Sequence, residues 1–174
     1  MRRPPLPDVR WRCSRCGEEH EGLPLDWAYD SPLYWEGPRA EGDFLSEDVC
    51  VWTDDDDRRC FFVRGVLTLP VRDSGEVFAY GVWSSLSERS YDRLLERWDD
   101  EGREDEPPYF GYLSNNLPGY PETLGLHLAV TTRSVELRPS FILLPRDEGH
   151  PLVDEQWQGI DRDRVREIAE QNLH

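Results

Sequence analysis

Cys13 and Cys16 are separated by two residues and followed by Gly17, the Cys-x-x-Cys-Gly spacing of a zinc knuckle. Two thiolates three positions apart can reach one tetrahedral ion, and glycine lets the chain turn sharply around it. A zinc ribbon would repeat the pair, and this chain does not. The remaining soft ligands are His20, Cys50 and Cys60. Three readings stand: a structural zinc held by Cys13, Cys16 and two of those three; reduced, metal-free thiols, with Cys50 and Cys60 beside sheet residues; or a redox-active dithiol. The last wants a strand before the pair and a helix after it, and Gly17-Glu18-Glu19 starts no helix.

The second place where residue types suggest recognition is Tyr109 to Tyr120. Asn115 and Asn116 offer donors and acceptors, while Tyr109, Phe110, Tyr112 and Tyr120 can wall a concave ligand site with Trp83 from a neighbouring strand end. The alternative is that the two asparagines satisfy turn backbone and the aromatics anchor a loop. Other chemistries find no pattern. There is no His-Glu-x-x-His, no Gly-x-Ser-x-Gly and no Gly-rich phosphate loop. Asp54 to Asp57 lacks the Gly and Glu of a calcium loop, for which Arg59 and Gly65 stand instead, and reads as a solvated turn. All 20 basic residues are Arg, so chemistry that needs a lysine is excluded.

Those residues need a scaffold, and 174 residues suffice for one domain. The formal charge of -16 opposes nucleic-acid binding. Basic residues gather only at the start, where Arg2, Arg3, Arg10, Arg12 and Arg15 stand against the single acid Asp8. Prolines make residues 1–10 a flexible, extended lead-in, with the domain proper running over 11–174 and structure starting near Trp11. No apolar run follows Met1 to Pro5, and none is long enough to span a membrane, so a cytoplasmic location without membrane contact is expected.

Residues 17–45 are aromatic but aperiodic and read as a long ordered loop. Val49 to Trp52, Cys60 to Pro70, Val77 to Ser85, His127 to Thr132 and Val135 to Leu144 are strand segments, the last interrupted by Pro139. An antiparallel meander is the simplest arrangement. Ser87 caps a helix whose Tyr91, Leu94, Leu95 and Trp98 share one face. Pro151 suits a first helical position, and Asp161 caps a last helix containing Val165, Ile168 and Ala169. The fold class expected is therefore α+β: a mainly antiparallel sheet of about five strands packed by two or three helices, with an irregular Cys-containing N-terminal segment.

Trp11-Arg12-Cys13-x-x-Cys16-Gly17-x-x-His20-x-Gly22-Leu23-Pro24, Asp48-x-Cys50, Phe61-Phe62-Val63-Arg64-Gly65, Gly81-Val82-Trp83-x-Ser85-Leu86-Ser87 and Pro108-Tyr109-Phe110-Gly111-x-Leu113-Ser114-Asn115-x-Leu117-Pro118-Gly119-Tyr120-Pro121 together resemble the bacterial domain of unknown function 2199 family. The likeness spans roughly residues 11 to 160. It implies no activity. The family's Cys-x-x-Cys and later Asp-x-Cys match Cys13, Cys16 and Cys50, so a metal general to the family would take Cys13, Cys16, Cys50 and His20, with Cys60 a bystander or alternative fourth ligand. The function expected is a non-enzymatic binding or accessory protein with a protein or small-molecule partner. The alternatives are a small metal- or carboxylate-dependent hydrolase and an acidic toxin-neutralising protein or nucleic-acid mimic.

Overall fold

The computed structural model describes residues 5–72 and 74–173. Strands β1 (Leu6–Arg12) and β2 (Glu19–Leu23) form a separate hairpin. The short strands β3 (Asp26–Ala28), β4 (Phe44–Leu45) and β5 (Val49–Thr53) lead to two long ones, β6 (Arg59–Pro70) and β7 (Val77–Leu86). Helix α1 (Glu88–Glu96) precedes β8 (Tyr109–Leu113), β9 (His127–Thr131) and β10 (Ser140–Leu143), and helices α2 (Pro151–Gln158) and α3 (Arg162–Leu173) close the chain.

The long strands are rich in Val, Leu, Phe and Trp, which favour a pleated, packed backbone. They pair with each other along their length, from Phe61↔Leu86 to Pro70↔Val77. Each then divides its other edge between two partners. β6 takes β5 at Arg59–Val63 and β10 at Val66–Leu67, while β7 takes β3 at Ala79–Gly81 and β8 at Ser84–Leu86. The path β6-β7-β8-β9-β10-β6 returns on itself, so the expected five-strand sheet is a closed barrel with β3, β4 and β5 as additions. Closure replaces the open meander: β10 runs parallel to β6, and Val66 N–H donates to Pro139 O at 2.9 Å. Closing the sheet removes the exposed edges that an open meander leaves.

Alternation along the long strands separates two apolar clusters. Phe61, Val63, Leu67 and Leu69 of β6 and Phe78, Tyr80 and Val82 of β7 belong to the main core, with Phe141, Leu152 and Ile168. Phe62 and Trp83 point the other way and join Cys50 and Trp52 in a smaller cluster. Gly65 is required where the strands cross, because a Cβ there would lie 2.3 Å from the Phe141 ring.

Strand β10 begins only after Pro139. Residues 135–139, expected as the first part of that strand, belong instead to a loop over 132–139 organised by the buried Arg103 guanidinium, which donates to Arg133 O, Ser134 O and Leu137 O at 2.7, 3.0 and 2.8 Å. α1 starts where expected, with Ser87 Oγ accepting from Ser90 N–H at 3.2 Å. Tyr91 and Leu94 are buried and Trp98 is half-buried, but Leu95 is exposed. Asp161 Oδ1 caps α3 by accepting from Arg164 N–H at 2.8 Å. Of the lead-in expected over residues 1–10, residues 1–4 lie outside the described residues and Leu6–Arg10 belong to β1. Among the described residues, no helix is long and apolar enough to cross a membrane.

Candidate metal centre and aromatic face

The turn joining β1 to β2 is closed by two backbone bonds, Cys13 N–H to Glu18 O and Gly17 N–H to Cys13 O, both 2.9 Å. Gly17 sits at φ 74°, which strains any residue with a Cβ. Register then brings in the third group. Trp11 lies opposite His20 in the hairpin, their rings stack at 4.7 Å, and Trp11 Nε1 donates to Gly22 O at 3.1 Å. The stacked imidazole presents Nε2 to Cys16 Sγ at 3.5 Å.

Cys13 Sγ, Cys16 Sγ and a His20 ring nitrogen all lie within 4.8 Å of one another. A tetrahedral zinc with Zn–S of about 2.3 Å and Zn–N of about 2.05 Å sets a sulfur–nitrogen edge of about 3.6 Å. The observed 3.5 Å fits that edge and equally an N–H···S hydrogen bond. The two sulfurs differ electrically. Burial raises the Cys13 pKa, but the backbone N–H groups of Cys16 and Arg15 lower it further, leaving it below the ordinary thiol value. At Cys16 the Glu18 N–H pulls the pKa down, and desolvation, the Cys13 sulfur and the Glu18 carboxylate together push it above that value. Cys13 thus gives up its proton more readily than Cys16, and metal binding would displace whatever protons the two thiols hold.

Helix α3 braces the turn across the chain's full length. Glu170 accepts from Ser14 N–H at 2.8 Å and from Ser14 Oγ at 2.6 Å, and these bonds hold its carboxyl below the usual range. Arg15 donates to Gln171 alongside.

Cys50, expected to complete the metal set, is not part of this group. It faces the smaller cluster with Trp52, Phe62 and Trp83, whereas Cys13 belongs to the main core. Burial raises the Cys50 thiol to about 12, with Asp43 and Cys60 adding to the effect. Cys60 packs against the same cluster, and its pKa is raised chiefly by desolvation. None of the four cysteines is in a disulfide.

The residues expected to wall a concave site around Tyr109–Tyr120 are divided between core and surface. Trp83 is fully buried, with Nε1 donating to Tyr29 O at 3.1 Å. Asn115 is buried too: Oδ1 accepts from Trp83 N–H at 2.8 Å and Nδ2 donates to Ser31 O at 2.9 Å. Asn116 accepts from Leu124 N–H at 3.1 Å. Tyr109 donates to Glu106 at 3.2 Å, and Tyr120 bonds Glu155 beneath the Arg164 guanidinium. Of the aromatic members of the set, Phe110 and Tyr112 alone face outward, each 44% exposed.

That outward pair meets a group that sequence reasoning only half identified. The rings of Phe110 and Tyr112 lie 5.7 and 5.1 Å from the His127 ring, and His127 Nδ1 lies 2.9 Å from Asp147 Oδ1. Asp147 also accepts from His127 N–H at 2.7 Å, so it fixes both backbone and ring. In a neutral ring, an Nδ1–H facing the carboxylate leaves Nε2 as an acceptor. Twenty residues of separation gave no signal for this pair. A hollow of about 560 Å³ lies on the charged face of α1 beside Glu88, Asp92 and Glu96 and brings in none of these groups.

A family model described as "Uncharacterized protein conserved in bacteria (DUF2199)" matches residues 12–160. No curated protein and no solved structure matches the chain.

Proposed function

The chain belongs to the DUF2199 family, whose description supplies no activity, and on its geometry we propose that it is a non-enzymatic accessory domain whose N-terminal hairpin is built around a structural zinc ion. The observation that carries this reading is the convergence of Cys13, Cys16 and His20 on one turn, each ligand atom within 4.8 Å of the others. Zinc would cross-link β1 to β2 and, through the Ser14–Glu170 bonds, fix the hairpin to α3. Such a thiolate site belongs in a reducing, cytoplasmic compartment. Phe110 and Tyr112 beside His127 are then the contact face toward a partner, because they are large, outward and not needed to fill the barrel. The test is metal analysis of protein purified without chelator, together with Cys16→Ser and His20→Ala. The reading requires about one equivalent of zinc, lost in both variants. Full retention in either variant overturns it.

A second reading, a metal-dependent hydrolase, is favoured by one observation. Among the described residues only three ligands gather, and Cys16 is exposed, which suits an ion with an open fourth position. Cobalt substitution separates the two. A spectrum that shifts on adding azide, with turnover of an activated ester lost in Cys16→Ser, supports the hydrolase; a spectrum indifferent to azide supports the accessory domain.

A further inference from the structure

The N-terminal arginines, isolated in sequence, meet two more in the fold. A groove of about 250 Å³ runs between β1 and α3, lined by Arg10 and Arg12 from the strand and Arg162 and Arg166 from the helix, over Trp11 and Leu23. One carboxylate, Asp163, shares the lining. This concentration of positive charge stands in a chain of formal charge -16.

The guanidiniums are poorly neutralised. Arg10 meets Glu21 at 3.1 Å and Arg166 meets Asp163 at 3.4 Å, both exposed pairs of the kind worth about 0–1 kcal/mol and readily exchanged. Arg12 directs Nε to Gly17 O at 2.9 Å, leaving its terminal nitrogens for another acceptor. No ion pair joins Arg12 or Arg162 to a carboxylate among the described residues, although acids outnumber bases 36 to 20. Four arginines from two elements lining one hollow suit a compact, multiply charged oxyanion, above all phosphate. Trp11 and Leu23 at the floor are 6% and 1% exposed, so the arginines rather than apolar surface define what the groove can hold. A long polyanion fits less well, because beyond a Debye length of about 8 Å it would meet the negative remainder of the surface.

The geometry points to this groove as a binding site for a small molecule that carries a phosphomonoester, the phosphate held between the strand and helix arginines. The groove adjoins the metal centre, since Trp11 stacks on His20 and Arg12 donates to Gly17 O of the cysteine turn, but it uses none of the three metal ligands.

Isothermal titration of the full chain with phenyl phosphate and with inorganic phosphate, at about 50 mM salt, tests the assignment. The expected result is one saturable site that takes both probes. Arg162→Ala and Arg166→Ala should each weaken it about tenfold, as loss of a charge-assisted contact does, and Arg89→Ala on α1 should leave it unchanged. Melting curves of each variant establish that the fold persists. No saturable binding, an equal loss in Arg89→Ala, or no loss in both α3 variants overturns the proposal. A phosphoserine peptide that binds more than about tenfold tighter than phenyl phosphate overturns the small-molecule assignment in favour of a protein partner.

Discussion

Replacing Glu170 by Gln cuts the bond between the two ends of the chain with almost no change of shape. Glu170 is 8% exposed and accepts two hydrogen bonds from Ser14, at 2.6 and 2.8 Å. Hydrogen bonds to a charged group contribute about 1.5–3 kcal/mol each, and the amide keeps one acceptor while turning a donor toward the other Ser14 group. The expected loss is about 2–3 kcal/mol near neutral pH. For a chain of this size that lowers Tm by about 5–10 °C. The pH dependence has a definite sign. The folded-state pKa of Glu170 is depressed from 4.5, so its stabilisation is fully present above 4.5 and fades as pH falls through the lower folded value. Thermal melts of wild type and Glu170→Gln between about pH 7 and pH 3 should therefore converge at the acid end. Equal Tm at pH 7, or a gap that widens in acid, would show that the turn is not held by this carboxylate.

Three further substitutions probe the rest of the scaffold. Gly65→Ala drives a methyl group into the Phe141 ring, 2.3 Å away, and should cost about 1–3 kcal/mol or more in chemical denaturation. Asn115→Ala leaves Trp83 N–H and Ser31 O without their buried partner and should cost about 2–4 kcal/mol, against less than about 1 kcal/mol for the exposed Asn116→Ala. Burial raises the Asp43 pKa, but the Arg39 N–H, the Thr53 hydroxyl and the Ala40 and Thr53 N–H groups lower it to about 2, so stability lost in Asp43→Ala should be largest above pH 3.8 and shrink as wild type approaches pH 2.

The α+β class and the segments that became β5, β6, β7 and β9 were legible because each is a run of β-favouring residues bounded by turn signals. α1 was legible from its cap and one apolar face. Strand β8 was hidden by Pro107-Pro108 before it and Gly111 within it, although Gly111 is there because a Cβ would lie 2.2 Å from Ser84 Oγ. β3 and β4, of three and two residues, are too short to show alternation. Closure of the barrel was out of reach, since it depends on Ser140↔Val66 pairing between segments far apart in sequence. At the candidate site, the spacing of Cys13 and Cys16 and the nearby His20 were readable locally. Cys50 could not be sorted the same way, because strand parity, not sequence distance, turns it toward Trp83 and away from the hairpin.

X-ray absorption at the zinc edge, on protein purified without chelator and on Cys50→Ala, tests the central claim most directly. The account expects one zinc per chain with two sulfurs at about 2.3 Å and one imidazole nitrogen at about 2.0–2.1 Å, unchanged in Cys50→Ala. A sample without metal, or a sulfur shell that shrinks when Cys50 is removed, would contradict it.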